Sequence, residues 1–123
     1  MKSPPKQEEL PELRIDAASH EERHVLTLGG ELDLTSAPRL LEAVTAACAA
    51  GAKELVVDIR GLDFMDSTGL RAILDGRTRC EEHLCHFRLT PAREDVSDQV
   101  RRLLQITGLL DRLPFDHGED VRR

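Results

Sequence analysis

The feature that most constrains this chain is a change of hydrophobic period along it. Leu55, Val56, Val57 and Ile59 form a compact apolar run, the pattern of a strand covered on both faces. On either side, apolar residues recur at helical spacing: Leu40, Leu41, Val44, Ala47 and Cys48 before the run, Leu70, Ile73 and Leu74 after it. A buried strand between two amphipathic helices implies parallel pairing through right-handed crossovers, and therefore an α/β domain.

The flanking segments extend the pattern. Leu13, Ile15 and Ala17 alternate with Arg14 and Asp16, as in a strand wet on one face. Residues 19–23 are polar and suit a turn, and residues 25–28 read as a second strand, so the two should form an antiparallel hairpin. Cys85, Phe87 and Leu89 alternate with His86 and Arg88, giving a fourth strand. Beyond Pro91, the residues Val96, Val100, Leu103 and Leu104 define a third helical stripe ending at Gly108, and residues 109–113 read as a short edge strand. Thr35 or Ser36 is expected to cap the first helix, with Pro38 in its first turn and Gly51 at its end. The fold expected is a small mixed β-sheet: an antiparallel first hairpin, then β-α-β units, with helices mainly on one face. Residues 1–12, with Pro4, Pro5 and Pro11, read as a disordered leader, residues 13–113 as the domain, and residues 114–123 as a polar tail.

Composition narrows the function. A chain of 123 residues is one domain that can build a core without metals or disulfides. Its net charge of -6 argues against binding a phosphate backbone, and 2 % aromatic residues leave little for base or sugar stacking, so no nucleic-acid partner is expected. No apolar run approaches the roughly 20 residues that span a bilayer, so no direct membrane insertion is expected. Met1-Lys2-Ser3-Pro4-Pro5 does not lead into a signal-peptide stretch, and the expected location is cytoplasmic. The three cysteines, Cys48, Cys80 and Cys85, then read as free and mostly buried. The run from Cys80 to His86 crowds Cys80, His83, Cys85 and His86 together without the second, distant pair of a structural zinc site. No metal and no cofactor is expected.

The segment able to carry function runs from Asp58 to Leu70, from the best-buried strand into the second helix. Such loops lie outside the carboxyl ends of parallel strands, where ligand and partner sites of α/β sheets form. Asp58 suits the backbone donors at a strand end. Asp66-Ser67-Thr68 supplies three side chains able to cap the helix where one is needed, and a helix start also favours an anion. The spacing matches neither G-x-S-x-G, because Met65 stands where the first glycine should, nor a P-loop. His20, His24, His83 and His86 lie far from Ser67 in sequence, so nothing pairs it with a base and no catalytic residue is expected.

At this segment the chain resembles the STAS family, and within it the stand-alone anti-sigma factor antagonists. The resemblance rests on Gly30-Glu31-Leu32-Asp33, on Phe64-Met65-Asp66-Ser67-Thr68-Gly69-Leu70, on the turn near Pro91, and on Thr107-Gly108-Leu109 within residues 103–110. It implies a phosphorylation switch with Ser67 as acceptor, Thr68 as second choice, and no enzymatic activity in this chain. The implied partners are an anti-sigma factor of the serine kinase type, bound by the unphosphorylated form so that sigma factor is released, and a phosphatase that resets the cycle. The implied partner-binding surface is Glu31, Asp33, Thr35, Asp66, Ser67 and Thr68. The alternative is a non-phosphorylated STAS structural subunit of a membrane-transport or signalling complex. The family usually closes with a further helix, for which Pro114-Phe115-Asp116-His117-Gly118 is a poor match.

Overall fold

In a computed structural model, residues 12–90, 96–109 and 112–114 are described. Four strands form one sheet in the order β1-β2-β3-β4: β1 (Arg14–His20), β2 (Arg23–Leu32), β3 (Glu54–Met65) and β4 (His86–Thr90). Three helices connect or follow them: α1 (Ala37–Ala49), α2 (Ser67–Glu82) and α3 (Asp98–Ile106). β1 and β2 are antiparallel; β2–β3 and β3–β4 are parallel, each joined through a helix. The mixed sheet inferred from the change of period is therefore the one observed.

The period of two along β3 separates the two faces of the sheet. Leu55, Val57 and Ile59 point into the main core with Leu26, Leu28, Phe87 and Leu89, and are sealed by Leu40 and Val44 of α1 and by Leu70 and Ile73 of α2. The alternate residues face the other way. There Val56 and Asp58 are buried under a charged layer, in which Glu54 lies 3.3 Å from both Arg23 and Arg88. Asp58 accepts from the Arg60 amide at 3.0 Å and from its guanidinium at 2.8 and 3.2 Å. Burial alone would raise the Asp58 pKa, but the Arg60 hydrogen bonds and charge outweigh it and hold the carboxyl below its ordinary value.

Several boundaries differ from those expected. The first turn is only Glu21-Glu22, because His20 and Arg23 already pair across the hairpin. β2 runs on through Glu31 and Leu32, and β3 through Met65, so residues 61–65 are strand rather than loop. Alternation fails to show this because the ladder between them slips at Thr27/Gly29 and again at Gly30/Glu31. The edge strand expected at residues 109–113 is not found among the described residues. Leu109 instead accepts from the amides of Arg112 and Leu113, a turn, and the Pro114 carbonyl accepts from Leu89 of β4. Pro91, residues 1–11, 110–111 and 115–123 lie outside the described residues.

Candidate functional site

The parallel strands β2 and β3 end side by side, with Glu31 opposite Phe64 and Leu32 opposite Met65. Their exits form two adjacent loops. Residues 33–36 lead into α1, and Asp66 leads into α2. The loops are tied by backbone, since the Asp66 amide donates to the Leu32 carbonyl at 3.3 Å. Gly69 seals the same junction: a Cβ there would sit 2.2 Å from the Leu32 carbonyl oxygen. The glycine of the Asp66-Ser67-Thr68-Gly69 motif is thus required by close approach of the α2 start to the end of β2.

The first loop is organised by Asp33. One carboxylate oxygen accepts from the Thr35 amide (3.1 Å), the Thr35 hydroxyl (2.9 Å) and the Ser36 amide (3.2 Å). Its carbonyl accepts from Ser36 and Ala37. Neither Thr35 nor Ser36 caps α1 through its side chain, contrary to expectation. With Ser36 at the N-cap, Pro38 has no N–H to offer and the Arg39 amide donates to the Ser36 carbonyl at 2.9 Å, so no first-turn amide is left for the side chain. Ser36 Oγ instead accepts from the Asp33 amide at 3.0 Å, with the Glu31 carbonyl 3.0 Å away. The Thr35 hydroxyl foremost, then the Ser36 bonds, hold the Asp33 carboxyl below its usual pKa against the raising effect of burial. Glu31, Asp33, Thr35 and Arg39 line a shallow cleft of about 270 Å³.

The second loop is capped differently. Asp66 is the N-cap of α2 in extended backbone (φ -107°), and its carboxylate accepts from the Gly69 amide at 2.8 Å. Ser67 therefore occupies the first helical position. It is exposed, and its hydroxyl has no hydrogen-bond partner among the described residues, while Thr68 is half-buried. The amides of Ser67 and Thr68 belong to the first turn, which no preceding turn can satisfy, and they meet the positive end of the helix dipole. Of the three possible caps in Asp66-Ser67-Thr68, one is used.

All six residues named from the sequence, Glu31, Asp33, Thr35, Asp66, Ser67 and Thr68, thus lie on one edge of the sheet. Asp58 lies away from this edge, paired to Arg60. Two neighbours escaped the sequence reading. Leu34 is 68 % exposed in the middle of the first loop, an apolar residue among polar ones. Gln99 of α3 holds the last rung of β3: its amide oxygen accepts from the Met65 N–H and its amide nitrogen donates to the Met65 carbonyl, both at 2.9 Å. Leu34 was visible as an isolated leucine in a turn, whereas nothing in the sequence connects Gln99 to Met65.

Comparison with known proteins agrees with this geometry. Residues 14–120 match the STAS domain family. The chain is 28 % identical over 109 residues to the anti-sigma-B factor antagonist of Staphylococcus aureus, covering 89 % of this chain and 97 % of that one. In structure it is similar to an anti-sigma factor antagonist from Mycobacterium paratuberculosis, with a TM-score of 0.66, 23 % identity and 85 % of each chain covered. It is also similar to the Bacillus cell fate determinant SpoIIAA in its phosphorylated form, with a TM-score of 0.61, 21 % identity, and 90 % of this chain and 99 % of that one covered. At these identities the two structural likenesses concern the fold. The match to the family, which spans most of the sequence and contains both loops, means that this chain belongs to the STAS domain family.

Proposed function

We propose that the protein is an anti-sigma factor antagonist switched by phosphorylation of Ser67. The observation that carries this reading is the contrast within one motif: Asp66 is committed to the Gly69 amide, while the neighbouring Ser67 hydroxyl is exposed and has no partner. A kinase can reach that hydroxyl without breaking a bond of the fold. The relative in Staphylococcus aureus is named an anti-sigma-B factor antagonist, and SpoIIAA has a structure in a phosphorylated form. Both names fit this assignment.

The chemistry of the switch is electrostatic. A phosphate on Ser67 adds about -1.5 to -2 charges at neutral pH. The helix start accommodates that charge, so α2 keeps its shape. The surface around it already carries Glu31, Asp33 and Asp66, and a partner that accepts this edge when Ser67 is free meets a far more negative one afterwards. The partner is an anti-sigma factor with serine kinase activity, bound in the unphosphorylated state; Leu34 offers the apolar contact at the centre of the surface. A phosphatase returns the protein to its binding form. The protein acts as a binding partner in the cytoplasm, without catalysis of its own, because no base is bonded to Ser67 to activate it. The domain comprises residues 13–113, flanked by a leader and a polar tail, and Thr68 is the weaker acceptor because it is half-buried.

The test is incubation with purified anti-sigma factor kinase and ATP, followed by intact mass and site mapping. One phosphate on Ser67 is expected, and none on Ser67→Ala. Ser67→Ala should bind the kinase like the unmodified protein, while Ser67→Asp should bind roughly tenfold or more weakly. Equal affinities of the two variants, or a phosphate located elsewhere, refute the assignment.

A further inference from the structure

The far end of α2 holds a second cluster, one that the switch does not use. The three helices among the described residues end in the same way, with the residue beyond the cap in left-handed backbone: Gly51 after α1 (φ 91°), Leu84 after α2 (φ 58°) and Gly108 after α3 (φ 77°). In each, the next amide returns to the last turn. Ala52 donates to the Ala47 carbonyl at 3.1 Å, Cys85 to Cys80 at 2.8 Å, and Leu109 to Leu104 at 2.9 Å. This motif normally brings an apolar pair into contact. In α2 the pair is Cys80 and Cys85, both buried. The last turn of α1, packed alongside, adds the half-buried Cys48.

The three Sγ atoms lie within 4.8 Å of one another. A zinc–thiolate bond of about 2.3 Å places three sulfurs around one ion about 4 Å apart, so the cluster is within an ångström of a closed metal site. The closing turn of α2 accounts for the meeting of Cys80 and Cys85 as small apolar groups, but it does not require a third thiol, from α1, to converge on them. The half-buried Cys48 supplies the entry path that a metal needs. We propose that Cys48, Cys80 and Cys85 form a three-thiolate site for a thiophilic d10 metal ion, Zn(II) or Cu(I). Each thiol that binds gives up its proton to solvent, so a Zn(II) ion held by all three forms three Zn–S bonds and releases three protons, leaving one net negative charge at the site.

This set differs from the one the linear sequence offers. His83 is exposed and engaged through Nδ1 with the Arg79 carbonyl at 2.9 Å, and His86 is exposed on β4. The test uses the reduced full chain, titrated with Zn(II) against a chromophoric chelator and, separately, with Cu(I) against a Cu(I) chelator. Binding of one ion per chain is expected, with proton release and a rise in melting temperature; the more strongly held ion identifies the metal. Cys48→Ser, the substitution least able to disturb the core, should weaken binding at least tenfold, and Cys80→Ser and Cys85→Ser should do the same where circular dichroism shows them folded. His83→Ala should leave binding unchanged. Failure of both ions to bind, binding that survives Cys48→Ser, or binding that is lost in His83→Ala overturns the proposal.

Discussion

Helix α2 presents opposite chemistry at its two ends, about 20 Å apart by the rise of an α-helix from Ser67 to Cys80. At its start, the Gly69 amide is held by Asp66 and the Asp66 amide by the Leu32 carbonyl, and the Ser67 hydroxyl is exposed. At its end, the backbone closes through a left-handed Leu84, and the groups brought together are thiols shielded from solvent. The Ser67 hydroxyl is exposed, whereas Cys80 and Cys85 are buried and Cys48 is half-buried. The difference teaches that one helix can present two unlike surfaces by what each terminus does with its unsatisfied backbone. The capped start leaves a side chain free to be modified, whereas the closing turn at the end folds side chains inward.

The comparison breaks most severely at Gly69. Any side chain there collides with the Leu32 carbonyl, so Gly69→Ala should cost about 2–3 kcal/mol, read as a lower urea midpoint at unchanged slope. If the cost is negligible, the start of α2 is not held against the end of β2 as the Gly69 contact requires.

A smaller effect is expected at the adjacent loop. Asp33→Asn should cost about 1 kcal/mol at neutral pH by weakening the acceptor at the start of α1. The folded pKa of Asp33 lies below the ordinary carboxylate value of 3.8, so its contribution is present above that value and is lost as pH falls through the folded pKa. The gap between parent and variant should therefore close in acid, measured as the difference in urea midpoints across a pH series. A gap that stays constant into acid would show that the carboxylate charge is not what organises the loop.

The smallest expected change sharpens the other end. Leu84 stands at a position taken by glycine after α1 and α3, is 85 % exposed, and carries the cost of a left-handed side chain. Leu84→Gly should raise stability by about 0.5 kcal/mol, net of the greater freedom of glycine in the unfolded chain. A thermal melt that shows the variant less stable would mean that the turn bringing Cys85 to Cys80 is held by Leu84 itself.

What the sequence made legible follows from the range of the interactions. The α/β order and the buried strand at Leu55, Val57 and Ile59 could be inferred because they depend on local periods of two and 3.6. The site residues could be named because the family resemblance rests on two contiguous motifs, Asp66-Ser67-Thr68-Gly69 and Gly30-Glu31-Leu32-Asp33. A side-chain cap from Ser36 was expected and is absent, because Pro38 in the first turn removes one donor and the Arg39 amide turns to the Ser36 carbonyl. Gln99 and Cys48 were out of reach for a different reason. Each meets its partner only after α3 or α1 has packed, and no spacing along the chain encodes that meeting.

The Gln99 contact also bears on how this sheet avoids unwanted association. Among the described residues β4 pairs with β3 only as far as Asp58 opposite Thr90, and none of them forms a strand beside β3 from Ile59 to Met65 on that side. Backbone left open in this way is a template for a strand from another molecule. A primary amide that donates to one carbonyl and accepts from one N–H imitates a rung of β-ladder, and Gln99 places such a rung at Met65, directly before the serine loop. At Met65 that rung is filled by a side chain, which opposes sheet extension at this point, directly beside the loops proposed for partner exchange.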